Sequence, residues 1–253
     1  ICTFPSDYFY DSKLITHHET VRNCIHHDWI DNVKSEVFKF KSLVFVNIDG
    51  TTIQEETSYH NFEEINVIVD ILKLIPEDKH HTIGIISPYK KQCFEINKRL
   101  LFERFFQINV NTVDSFQGRE KEIILMSLVK SYGDDPKMEN VTFINNPKRM
   151  NVSITRAKHL LVVIGNIDVV EKSYNWRKFI NYARSNSSIM HANKLRKKVK
   201  IIENQNKLKD INTQNVKPKK ILYNFDKQND NTNIYSKFSN NDKQFKNKDK
   251  INK

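Results

Sequence analysis

The sequence predicts an α/β domain built on a parallel sheet with helices on both faces. Two observations carry this. Short β-branched runs are apolar throughout, without the in–out alternation of a sheet wetted on one side. Amphipathic stretches of helical length separate them. A third observation bounds the domain: from residue 191 the apolar pattern dissolves into Asn- and Lys-rich sequence.

The elements follow in order. Leu43–Ile48 (LVFVNI) reads as a strand. Asn61–Leu74 reads as a helix, with Ile65, Ile68, Val69 and Leu72 on one face. Thr82–Ser87 (TIGIIS) is a continuous apolar strand, and Pro88 opens a helix through Phe94, Leu101 and Phe102, proline being suited to a first helical turn. Ile108–Val113 and Glu122–Val129 are the next strands. Asn146 and Pro147 cap a helix to about Lys158, Leu160–Gly165 is the last strand, and Trp176–Ala183 is a closing helix. Ligands of such sheets gather at the carboxyl ends of the strands, so the loops after Ser87, Val113 and Val129 are the expected site.

Composition sets limits. The chain has 253 residues, 38% of them hydrophobic, with a net charge of +11. Residues 1–190 hold 24 Lys+Arg against 24 Asp+Glu, while residues 191–253 hold 17 against 6. The basic excess therefore sits wholly in the second segment and says nothing about a partner of the first. This divides the chain into a globular domain, 1–190, and a basic tail, 191–253, expected to be mostly disordered because it buries too little to offset chain entropy; Asn193–Glu203 could extend a helix. The tail either adds sequence-independent affinity for nucleic acid or is compositional bias.

Cys2, Cys24 and Cys93 stand far apart without a CxxC pair, which fits free buried thiols in a reducing compartment, nucleus or cytoplasm. The pairs His17–His18, His26–His27 and His80–His81 lack partners at ligand spacing and read as polar loop residues, so no metal site is expected. No run approaches the roughly 20 apolar residues of a membrane helix. The opening, ICTFPSDYFY, has no signal-peptide shape and reads as cut from a longer chain.

Three blocks carry candidate chemistry. In Val110–Ser131 (VNTVDSFQGREKEIILMSLVKS) the hydroxyls of Thr112 and Ser115 flank a strand end and Gly118 allows close backbone approach; a tight strand connection explains the same composition. In Asn146–Asn166 (NPKRMNVSITRAKHLLVVIGN) Arg149 and Arg156 are seven apart and so share one helical face, and guanidinium groups hold phosphate bidentately; a solvated basic stripe is the alternative. In Ile83–Gln92 (IGIISPYKKQ) Tyr89 at the strand end either stacks on a base or packs the helix onto the core.

Together, in this order and spacing, the blocks resemble the C-terminal motor domain of superfamily-one helicases, in the branch of the nonsense-mediated-decay helicase and senataxin. That family shows IGIITPYxxQ, VxTVDxFQGREKDxIIxSxVR and RRLNVxxTRAKxxLxxxGN; ICTFPSDYFYDSKL and Ser58-Tyr59-His60-Asn61 through Glu64 also look like its flanking elements. The resemblance covers about residues 1–185. It implies a RecA-like fold of the P-loop NTPase class, here the second motor domain without its own P-loop. It implies that Arg156 is an arginine finger, that Glu120 contacts the ribose, and that Gln117, Gly118 and Arg149 lie at the nucleotide. Thr112, Ser115, Pro88 and Tyr89 would meet single-stranded RNA or DNA, and Asn151 would fix the motif helix. Lys148 and Met150 depart from the family's Arg and Leu.

The five glycines, at 50, 84, 118, 133 and 165, form no GxxxxGK[ST]. The resemblance thus implies that ATP and Mg²⁺ are bound mainly by a first RecA-like domain of the same parent chain. A non-catalytic nucleic-acid-binding module of the same shape is the other class of function. A receiver-like domain would need an acidic cluster that Asp114 alone does not supply.

Overall fold

The computed structural model describes residues 1–15, 28–39, 41–132 and 144–214. In order these form α1 (Thr3–Phe9), α2 (Asp28–Glu36), β1 (Leu43–Asn47), β2 (Ile53–Glu55), β3 (Ser58–His60), α3 (Phe62–Leu72), a 3₁₀ segment (Glu77–Thr82), β4 (Ile83–Ser87), α4 (Lys90–Phe102), β5 (Asn109–Thr112), a 3₁₀ turn (Asp114–Phe116), β6 (Lys121–Ser127), α5 (Pro147–Ile154), β7 (Ala157–Gly165), α6 (Ile167–Val170), α7 (Tyr174–Ser185), β8 (Ile189–His191) and α8 (Ala192–Gln214).

Six strands make one parallel sheet in the order β5-β4-β6-β7-β1-β8, while β2 and β3 form a separate antiparallel hairpin. The strands have no polar face because both sides of the sheet are covered. Val44, Val46, Ile83, Ile85, Ile123, Leu125, Leu160 and Val162 pack with Ile68, Leu72, Ile96 and Leu100. Their neighbours Phe45, Ile86, Ile124, Met126, Leu161 and Val163 pack on the opposite side with Phe4, Met150, Ile154, Trp176 and Phe179. This period-two partition of a continuous apolar run between two cores is the RecA-like α/β/α layering.

The expected elements form, with several differences of physical origin. Asn61 caps α3, its side-chain oxygen accepting from the Glu63 and Glu64 amides at 3.0 and 3.3 Å. Pro88 stands outside α4, where Tyr89 is the N-cap. The helix from Pro147 stops at Ile154, not near Lys158, because the chain from Arg156 is taken into the sheet: the Arg156 carbonyl accepts from the Lys121 amide and Ala157 pairs with Lys121. Cys93 is buried but Cys2 is exposed. His80 is buried with a ring nitrogen 3.1 Å from the Ile75 carbonyl; the pairs at 17–18 and 26–27, and Cys24, lie outside the described residues.

The sheet's last strand, β8, has no counterpart in the expected elements, and the helix expected over Asn193–Glu203 forms as the longer α8. The compact unit extends to Asn212, past residue 190. Leu195 and Val199, four apart on α8, are buried in the first of the two cores. No helix among the described residues is long and apolar enough to cross a membrane. Truncating Leu195 to Ala should lower unfolding free energy by about 2–5 kcal/mol in a urea titration; an unchanged midpoint would mean that α8 is not part of the folded domain.

Candidate nucleotide and nucleic-acid site

The predicted site residues divide between the two rims of the sheet. At the carboxyl rim, the Val113 amide bonds the Ser87 carbonyl at 3.2 Å, joining the ends of β4 and β5. Thr112 Oγ1 donates to Ser115 Oγ at 3.0 Å and accepts from the Ser115 amide at 3.3 Å, so the two hydroxyls face each other across one exposed turn. Beside them, Arg149 makes a two-pronged contact with Asp114, Nε and Nη2 each 3.1 Å from a carboxylate oxygen. Pro88, half-exposed, lines a small cavity with Val113, Arg149 and Met150. Tyr89 is buried, its ring edge-on to Tyr59 at 5.3 Å, so it supports the rim and offers no open face to a base. Burial also holds its hydroxyl well above the ordinary tyrosine value.

The amino rim carries the rest. Arg156 follows α5 and does not share a helical face with Arg149, because the helix has ended two residues earlier. Its Nε donates to the Val152 carbonyl at 2.9 Å and its Nη2 to Thr155 Oγ1 at 3.1 Å. No carboxylate pairs with it among the described residues, and Nη1 makes no hydrogen bond there. The Arg156 carbonyl accepts from the Lys121 amide at 3.1 Å, which sets the backbone of Arg156 against the residue next to Glu120. Gln117, Gly118 and Glu120 are exposed on the approach. Gly118 sits at φ +78°, a conformation that glycine adopts without penalty.

One short segment, residues 113–120, thus links the rims. Its middle is pinned by Phe116, which is fully buried. Gly84 makes room for that ring: a Cβ there would lie 2.7 Å from Phe116 Cζ and 2.8 Å from Ile124 Cδ1.

Behind the carboxyl rim lies a buried polar network. Glu64 Oε2 accepts from the Ser127 hydroxyl at 2.5 Å and the Val129 amide at 3.0 Å. Gln92 Nε2 donates to Ser127 at 2.8 Å, and its Oε1 accepts from the Asn61 amide at 2.8 Å. Thr52 donates to the Val129 carbonyl at 2.8 Å and accepts from the Ser131 amide at 2.8 Å. Asn61 Nδ2 reaches the same Val129 carbonyl at 3.3 Å. Val129, which is β-branched, is held at φ +72°, with the Lys130 amide bonded to the Leu128 carbonyl at 2.8 Å. That is a γ-turn of the rare, strained hand. Lys130 turns inward, its Nζ 3.4 Å from the Tyr59 ring centroid.

Burial raises Glu64 to about 8 and lowers Lys130 to about 8. The sequence blocks give no role to Thr52, Glu64, Gln92, Ser127 or Lys130. The signal was present in the SxxN…E stretch at Ser58–Glu64 and in Gln92, four residues after Pro88.

A family model described as an AAA domain matches residues 1–168. An uncharacterized ATP-dependent helicase of Methanocaldococcus jannaschii is 34% identical over 192 residues, 73% of this chain and 28% of its own length. Human probable helicase senataxin is 32% identical over 197 residues, 75% of this chain and 7% of its own. Helicase SEN1 of Saccharomyces cerevisiae is 40% identical over 147 residues, 53% of this chain and 6% of its own. The chain belongs to the superfamily-one helicases. Within them it falls in the senataxin and nonsense-mediated-decay branch, and it spans at most 28% of the length of these relatives. For this helicase-family domain, the network gives the QGRE-containing block a second anchorage: Ser127, Val129 and Ser131 at its far end are held by Glu64, Asn61 and Thr52.

Glu64 generates a prediction. Its folded value near 8 stands above the ordinary 4.5. The folded state therefore keeps a proton that the unfolded chain releases, and stability should fall as pH rises from about 4.5 to about 8, at most by about 1.4 kcal/mol per pH unit. Glu64→Gln should flatten that fall in urea midpoints measured across the interval; the same slope in the variant would place the titration elsewhere.

Proposed function

We propose that this domain is the C-terminal half of an ATP-dependent RNA or DNA helicase, completing the ATP site at its amino rim and gripping a single strand at its carboxyl rim. The observation that carries the reading is Arg156. Its guanidinium is anchored through Nε and Nη2, has no carboxylate partner among the described residues, and leaves Nη1 without a hydrogen bond there, while its backbone carbonyl accepts from Lys121, the neighbour of Glu120. A cation fixed in this way suits an anion presented by another domain.

In the proposed site, Arg156 offsets the charge that builds on the transferring phosphoryl group. Glu120 accepts from ribose hydroxyls, and the exposed backbone at Gln117–Gly118 lets the nucleotide approach closely. The first RecA-like domain of the parent chain would hold ATP and Mg²⁺, the metal supplying charge neutralisation between the phosphates. At the other rim, Thr112 and Ser115 donate to strand phosphates, and Pro88 borders the path. Tyr89 acts from beneath as packing. Arg149, committed to Asp114, shapes this turn; it serves a nucleotide only if that ion pair opens.

Two outcomes test the proposal. In a parent chain with both motor domains, Arg156→Ala should slow hydrolysis by about 10³-fold or more while nucleotide affinity changes far less. Arg156→Lys should not restore the rate, since lysine lacks the planar fork. Equal losses in turnover and binding would sink the finger role. The second concerns residues 215–253, with ten Lys against four Asp. Removing them, while keeping the packed α8, should make the salt dependence of single-stranded RNA affinity shallower; an unchanged slope would assign the basic excess to composition alone.

A further inference from the structure

The solvent-facing side of α4 is apolar where a solvated helix would be polar. Phe94 is 59% exposed, Leu101 64%, Phe102 81%, and Phe106 just beyond the helix 70%. Phe94 and Leu101 are seven apart, hence one above the other on one face, and Phe102 adjoins them. The opposite face, Cys93, Ile96 and Leu100, already packs on the sheet, so the outer aromatics contribute nothing to the core. Contiguous exposed apolar side chains of this size mark interaction surfaces.

The charge around the patch is one-sided. The helix has one carboxylate and its C-cap a second, and both are spent internally: Glu95 on Lys91 at 3.2 Å and Glu103 on Arg99 at 2.9 Å. Lys90, Lys98 and Arg104 are exposed and have no carboxylate within ion-pair reach among the described residues. Arg104 is moreover held at φ +64° immediately after the helix cap, a position where glycine would carry no Cβ penalty. There the Phe105 amide bonds the Leu100 carbonyl at 2.8 Å; Phe105 turns inward against His80 while Phe106 remains outside.

We infer that the outward face of α4, with Arg104 and Phe106, docks an acidic amphipathic helix of a protein partner. The apolar stripe of that helix lies along Phe94, Leu101, Phe102 and Phe106, and its flanking Asp and Glu meet Lys90, Lys98 and Arg104. Two details favour a peptide over nucleic acid. The helix's own cations already cover one side of two rings, Lys91 at 5.0 Å from the Phe94 centroid and Arg99 at 6.0 Å from that of Phe102. And Leu101, at the centre of the patch, has no π face on which a base could stack.

The test uses the full 253-residue chain and a fluorescein-labelled synthetic helix with Leu and Phe at helical spacing flanked by Glu and Asp, beside a scrambled peptide of the same composition. Fluorescence anisotropy should show saturable binding of the patterned peptide alone. Lys90→Glu/Lys98→Glu/Arg104→Glu should weaken it by about tenfold or more, and Leu101→Ser should do the same with the thermal melting profile unchanged. Absence of saturation, equal binding of the scrambled peptide, or full affinity in both variants overturns the proposal. It is overturned equally if the variants lose affinity for poly(U) and not for the peptide. The same holds if sedimentation shows the chain self-associating through this face, with Leu101→Ser abolishing it.

Discussion

The carboxyl rim depends on how the chain leaves β6. At Val129 a β-branched residue stands in left-handed backbone, a conformation costing on the order of 1–3 kcal/mol, which persists only where surroundings over-determine it. Here they do. The amide of Val129 is taken by Glu64 and its carbonyl by Thr52 and Asn61, so both of its backbone polar groups are fixed by buried side chains from the β1–α3 region. The turn reverses the direction in which the next side chain points, and this is what brings a lysine ammonium over Tyr59. Glu64 can serve in so apolar a place because burial favours its neutral form and hydrogen bonds still satisfy one oxygen. Asn61 does two jobs at once, capping α3 and clamping this turn, so the start of that helix and the end of β6 cannot move independently.

The parallel sheet forces each connection to travel back across the domain, and most do so through a helix. The connection from β5 to β6 is different: eight residues, 113–120, make the passage with a single 3₁₀ turn. It carries the hydroxyl turn at one end and the exposed Gln117–Glu120 stretch at the other, with Phe116 seated in the notch left by Gly84 as its fixed point. Just after helix α5, the Arg156 backbone is set against Lys121, the neighbour of Glu120. Two rims that face different ligands in the proposed motor are therefore joined by one short, stiff path.

How much of this the residues announced depended on the length of each signal. Long apolar runs such as Leu160–Gly165 and the stripe of α3 were legible because a parallel sheet buries both faces and a helix repeats its pattern over three turns. β8 was not, since three residues carry no periodicity; of α8 only Asn193–Glu203 read as helical, and its packing through Leu195 and Val199 was masked by Asn and Lys content. The end of α5 is misplaced because it is set by the pairing of Ala157 with Lys121 in the sheet, which the helical pattern around it does not encode. For the site, the motif blocks supplied the candidates Arg156 and Glu120, whose neighbouring backbones are brought together by strand register that no local pattern encodes. The predicted common face of Arg149 and Arg156 failed for the same reason that the helix boundary did. The network around Glu64 joins residues 52, 61, 64, 92, 127 and 131, and pairing across such separations is tertiary information.

The sheet ends in β5 at one side and β8 at the other, strands of four and three residues. Unpaired amides at a sheet margin recruit neighbouring molecules in proportion to the length of flat, regular backbone they present. Margins this brief offer too few registers for a second chain to lock on. A protein whose sheet interior is almost wholly aliphatic is thereby shielded from polymerising through its own backbone.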